Sequence, residues 1–266
     1  MRRISYFKGM PGRAYTVIQY TMRSILMTKG VMLPAIFLLI PPGIAVYTLL
    51  DPQEGMKEWW SMSIYFGLIL YLQLLLLLYC LVYGTSIVHR DLESRTMTYL
   101  VLRGARRTEV YLWRYIGTLI PVFAMFALSE VLMYFLLAGH GPASDLAGKL
   151  PTLWSLLLAT LIGAVVYLAF FSMLGILFKH PLMVGILFGF FWEVIMVNIP
   201  LNIRKVTMMY YMRSIYMMDP LVTDILNEDA VFREMMGAGD STAVLLVLTL
   251  IFLLVGSFFL QRKDLH

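Results

Sequence analysis

The sequence predicts an all-α polytopic membrane protein with six transmembrane helices, both termini in the cytoplasm, and an amphipathic N-terminal helix lying on the membrane surface. Three observations predict it. Of 266 residues, 60% are hydrophobic and only 14% charged, against roughly 25% charged in an ordinary soluble domain; the mean hydropathy is +0.79. The apolar residues gather into runs long enough to span about 30 Å of hydrocarbon. Finally, 15 of the 21 Lys and Arg fall on one side of the membrane once those runs are threaded through it, as retention of basic loops in the cytoplasm requires.

The N-terminal segment, 1–30, carries Arg2, Arg3, Lys8, Arg13, Arg23 and Lys29 and no acid. It is too long and basic for a cleavable signal peptide, and no small-residue cleavage site follows the first apolar run. Tyr15, Ile18, Met22, Ile25 and Leu26 recur at helical spacing, with Arg13, Thr16, Gln19 and Arg23 on another side. That pattern suits a helix lying along the inner leaflet, its basic residues toward anionic lipid headgroups.

The six runs are 31–50, 63–87, 116–137, 153–178, 182–201 and 242–260. They lack period-2 alternation, so helices are expected rather than a barrel. Pro41 and Pro42 each remove a backbone donor and should kink the first run. The whole chain, 1–266, is expected to form one transmembrane domain, with 88–115 as a cytoplasmic loop and 202–241 as a long loop on the outer side. An excess of five positive charges is accounted for by this loop bias, so no nucleic-acid partner is expected.

The segment 89–115, HRDLESRTMTYLVLRGARRTEVYLWRY, places acids ahead of a short apolar patch and a basic turn, an arrangement suited to docking. Here the sequence resembles the membrane subunits of type-2 ABC exporters. Their first cytoplasmic loop carries an acid, a Gly-Thr pair, a hydrophobic patch, a Pro and an Arg at fixed spacing. Asp91 stands at the acidic position, Arg95 and Thr96 at the pair, Leu100 in the patch, Gly104 at the Pro and Arg107 at the Arg; Glu93 fits a further acid. The departures are Asp for Glu, Arg95 for Gly and Gly104 for Pro.

The resemblance implies that this loop is a coupling helix seated on a separate ATPase subunit, with a second copy of the chain completing a homodimeric translocation path in the cell membrane. ATP and Mg would belong to the ATPase. This chain carries no phosphate-cradling G-x-x-x-x-G-K-[ST], no G-x-S-x-G and no H-E-x-x-H, so it is not expected to be an enzyme by itself or to hold a metal or cofactor. The one cysteine, Cys80, excludes an intramolecular disulfide and a Cys-based zinc site.

Ionisable residues inside a membrane are expensive and commonly functional. Glu193 lies near the middle of the fifth run and Glu130 in the outer half of the third. Each either lines a translocation path or is held, hydrogen-bonded, against a neighbouring helix. Gln73 and Asn198 are further path candidates, though such side chains more often bond between helices. Gly185 and Gly189 form a G-x-x-x-G that permits close packing, either within the chain or at a dimer contact. Seven Met between 208 and 236 offer thioethers, which bind Cu(I), but amphipathic helices dipping into the outer leaflet account for them more simply. The alternative class is an ATP-independent, proton-linked transporter or membrane scaffold using Glu193.

Overall fold

The computed structural model describes residues 10–27, 36–50, 61, 63–93, 106–138, 143–199, 202–227, 232 and 235–263. Among them there is no strand. The elements are α1 (Met10–Met27), α2 (Ile40–Leu50), α3 (Leu76–Glu93), α4 (Arg107–Ala138), α5 (Ala143–Leu177), α6 (Pro181–Leu187), α7 (Met208–Tyr216), α8 (Pro220–Leu226) and α9 (Ala238–Arg262). Wide π-type turns precede α3 at Gly67–Leu75 and follow α6 at Phe188–Ile195.

Among the described residues, four helices are long and apolar enough to cross a membrane: Ser63–Ile87, Arg107–Leu137, Gly148–Leu177 and Ala238–Arg262. The helix that holds the first continues past the predicted end at 87 to Glu93. The next two begin earlier than hydropathy suggests, because a helix continues past the hydrocarbon edge wherever its backbone bonds remain favourable. The other two runs correspond to shorter apolar helices, Ile36–Tyr47 and Pro181–Ile195. At 1.5 Å per residue, the latter's 15 residues cover about 22 Å. It stops short of the predicted end at 201 because the chain turns there, with Asn198 N bonding Ile195 O and Ile199 N bonding Met196 O. The former breaks at Leu39, where a single turn (Leu39 N to Ile36 O, 3.0 Å) precedes Pro41 and Pro42. The prolines open the second helical piece, where missing N–H groups cost nothing.

Helix α5 is the hub, packed against α3, α4, α6, α7 and α9. Its crossing with α3 is made by two glycines. A Cβ on Gly175 would lie 2.6 Å from the Thr85 carbonyl oxygen, and one on Gly84 would lie 2.8 Å from Phe171 Cβ. Hydroxyls tie α4 to α5. Tyr111 and Ser172 bond at 2.7 Å, and Tyr115 donates to Val165 O at 2.7 Å.

Helix α1 packs on α4 at Gly117, where an added Cβ would meet Thr21 Cβ at 3.0 Å and Ile18 O at 3.1 Å. Its inward side is Ile18, Thr21 and Ile25, while Tyr15, Tyr20 and Leu26 are exposed beside Arg23. Two members of the predicted apolar stripe, Tyr15 and Leu26, therefore face away from α4.

Candidate functional site

The polar residues that hydropathy marks as out of place converge around α7. Thr207 caps this helix, its hydroxyl oxygen accepting from Tyr210 N at 3.3 Å while it donates to Arg204 O at 2.7 Å. Glu193 supplies the rest of the cap from the π-type turn after α6. Its Oε1 accepts from Met208 N at 3.1 Å, and its Oε2 from Met209 N at 2.9 Å and Tyr167 OH at 2.8 Å. Three of the four donors that a helix start leaves unpaired are thus satisfied by side chains. The carboxylate also sits at the positive end of the helix dipole. Both oxygens of Glu193, which is 1% exposed, are spent on holding α7 in place.

Helix α7 is consequently a buried plug among α5, α9 and the π-type turn before α3. Met208, Met209, Tyr210, Met212, Ile215 and Tyr216 are all buried. For these residues the expectation that the Met and Tyr cluster dips into the outer leaflet is corrected, since they fill the interior, whereas Met218 and Met236 are exposed. Thioethers adapt to irregular gaps, and Gly163 and Gly67 open the room for Met212 and the Tyr216 ring. No group of three or more His, Cys, Asp or Glu suited to a metal occurs among the described residues.

Arg213, at 1% exposure, is the largest fully buried side chain. Its Nη2 donates to Gln73 Oε1 at 2.8 Å and to Asn198 Oδ1 at 3.0 Å, and its guanidinium lies 5.3 Å from the centre of the Phe232 ring. Burial pushes this group down to about 10, against the upward pull of Tyr167 and Glu193, so it is charged at neutral pH. Gln73 and Asn198 are therefore brought together by a residue that the sequence reading left in a loop. The signal that finds it is local. Thr207 ahead of apolar residues at 208, 209, 212, 215 and 216 is a helix start followed by a helical apolar stripe.

Glu130 stands apart from this cluster. It is completely buried on α4, with Oε1 accepting from Thr160 Oγ1 at 2.6 Å. Nearby, Tyr71 and Ser129 bond at 2.7 Å, and Ser129 donates to Leu38 O. The polar residues within the apolar runs are thereby used to join the turn before α2, α4, α5 and the π-type turn before α3.

Gly185 and Gly189 face inward. Cβ atoms there would run into the side chains of Leu81 and Leu77 respectively, so the G-x-x-x-G packs on α3 of the same chain. The opposite side of that helix exposes Met183, Leu187 and Phe191.

Of the proposed coupling residues, Thr96 and Leu100 lie outside the described residues, as do the side chains of Asp91 and Glu93, whose backbone closes α3. Arg107 opens α4. Its Nη1 donates to Lys263 O at 2.8 Å and to Leu260 O at 3.5 Å at the end of α9. Arg114 donates to Ile87 O at 3.3 Å, and Lys263 Nζ to Ile176 O at 2.7 Å. Arg107 and Arg114 thus bond the 88–115 segment to the end of α9 and to α3, and Lys263 bonds the end of α9 to the end of α5. The carbonyls of Leu260, Lys263 and Ile176 lie at helix C-termini, which cations favour.

No curated protein matches the sequence. Residues 43–266 match the family described as Protein of unknown function (DUF2705), and the chain belongs to that family.

Proposed function

We propose that this chain is the permease subunit of an ATP-driven exporter of the ABC type, crossing the cell membrane six times with both termini in the cytoplasm. Two copies form the translocation path, each coupled through 88–115 to a separate ATPase subunit that binds ATP and Mg. The observation that carries this reading is the cationic clamp at the base of that segment. Arg107, Arg114 and Lys263 join the ends of α3, α4, α5 and α9. A push delivered between α3 and α4 would reach every helix of spanning length together, which is what a coupling element has to accomplish.

Two measurements test it. Co-expression with the neighbouring ATPase gene should give, by native mass spectrometry, two copies of this chain with two ATPase chains; a lone oligomer overturns the proposal. In that complex, Glu93→Ala with Arg107→Ala should leave the chain folded while lowering transport per ATP hydrolysed by roughly tenfold. That estimate follows from two lost hydrogen bonds worth about 0.5–1.5 kcal/mol each. Unchanged coupling would remove this segment from the mechanism.

The competing class, a proton-linked transporter using Glu193, is favoured only by that carboxylate's burial beside Tyr167. Transport by the chain alone in liposomes under a pH gradient, abolished by Glu193→Gln, would select it.

A further inference from the structure

We propose that Glu130 is a proton-binding site: a neutral carboxyl group whose Oε2–H is bonded to one water in the adjoining cavity and exchanges with the solvent through Thr152 and Asp219. Glu130 is 0% exposed, and its two oxygens differ. Oε1 accepts from Thr160 Oγ1 at 2.6 Å; Oε2 has no hydrogen-bond partner among the described residues. An ionised carboxylate buried with a single hydroxyl donor and no cation carries a desolvation cost that proteins avoid by keeping the proton on the group.

Among the described residues, the titratable groups around it supply no positive charge. They are Tyr71 on the π-type turn, Tyr134 on α4, Tyr216 on α7 and Asp219 beyond the cavity. Lys149 is the basic residue on the facing helix α5, 11 residues before Thr160, or about 16 Å along the axis. A neutral Glu130 therefore fits its surroundings and an ionised one does not.

A proton on Oε2 needs an acceptor. The cavity beside it has a volume of about 20 Å³ and is lined by Glu130, Ser63, Thr152 and Tyr216 among apolar side chains. A water requires roughly 10–15 Å³ measured this way, and two to four polar partners. The space thus holds one water and no larger ligand.

Across the cavity stand Thr152 and then Asp219, which is 4% exposed and lies in the chain between the exposed Met218 and Leu221. Thr152 Oγ1 donates to Asp219 Oδ2, and Asp219 Oδ1 accepts from Leu221 N at 3.3 Å as the cap of α8. Carboxyl, water, hydroxyl and second carboxylate stand in sequence between the interior of α4 and the α7–α8 turn. Exchange along this chain conserves protons. Glu130 gives its Oε2–H to the water, the water gives one to Thr152 Oγ1, and Thr152 gives its own to Asp219 along the bond already present; the return runs through the same steps in reverse.

The test is infrared difference spectroscopy on the full chain in lipid bilayers, which needs neither ATPase nor substrate. At pH 7 the carbonyl stretch of a protonated carboxyl group should be present, should shift in D₂O and should vanish in Glu130→Gln. In Thr152→Val the band should persist while its hydrogen–deuterium exchange slows at least tenfold, a marker of the route that a merely structural threonine would not move. Absence of a band that depends on Glu130 overturns the site, and unchanged exchange in Thr152→Val overturns the route. Glu130→Gln replaces one neutral group by another, so its melting midpoint should stay within about 2–4 °C of the parent. A large rise would mean that a buried charge had been removed, which also overturns the proposal. Failure here leaves the permease reading standing, since these substitutions lie outside 88–115.

Discussion

Replacing Glu193 with alanine should unseat α7 and produce the largest loss of stability of any single side chain in the polar cluster. The substitution leaves three donors without acceptors, Tyr167 OH and the N–H groups of Met208 and Met209. Each buried unsatisfied donor costs about 1–3 kcal/mol, so the loss is at least about 3 kcal/mol, a large share of the roughly 5–15 kcal/mol that holds a domain folded. For a chain of this size that corresponds to a fall of roughly ten degrees in melting midpoint.

Glu193→Gln keeps one carbonyl acceptor but turns an amide N–H₂ toward backbone N–H groups, so its loss should be intermediate. A cysteine placed at Ser214, a buried position on α7, reads the same event directly. It should resist a water-soluble thiol reagent in the parent and react in the alanine variant. An alanine variant within 1 kcal/mol of the parent would show that the cap does not hold α7.

Gly175→Ala should be the most damaging small substitution, and Gly175→Leu should abolish the fold. The neighbour at 2.6 Å is the Thr85 carbonyl oxygen, with Thr85 C and Cα both at 3.3 Å. These are backbone atoms of α3, and no rotamer change relieves the clash. The helices must part instead, which costs about 1–3 kcal/mol for one methyl group and moves the lower end of α3, where the 88–115 segment begins.

Gly43 provides the control. Nothing lies within 4 Å of a Cβ built there, so Gly43→Ala in α2 should be neutral or stabilise by about 0.4–1 kcal/mol through the unfolded chain. Thermal melts of the three variants in one detergent check the ordering. Equal effects of Gly43→Ala and Gly175→Ala would mean that the α3–α5 contact does not limit stability.

Hydropathy located the run 63–87 inside a helix that continues to Glu93, because the cost of placing a side chain in hydrocarbon is a property of that side chain and sums along the chain. The same additivity singled out Glu130, Glu193 and Gln73 as polar residues in apolar surroundings. It says nothing of their partners. Arg213 reaches Gln73 across 140 residues, and from composition alone it reads as one more charge in an outer loop. Gly84 and Gly175 escaped notice because neither lies in a recognisable spacing; they matter only as a pair, on helices that meet in space. The G-x-x-x-G at 185 and 189 was visible, but the motif is silent on what it packs against, and Leu77 and Leu81 of the same chain answer that.

The sequence by itself determined that this chain is helical, that most of it is apolar enough to lie in a membrane, and which few residues do not belong there. Only the tertiary structure decided that α7 turns inward, that Glu193 caps it, and that Arg213 is buried on two amide oxygens. Solvation is a one-residue quantity, whereas a hydrogen bond or a helix crossing exists only between two groups that folding has brought together.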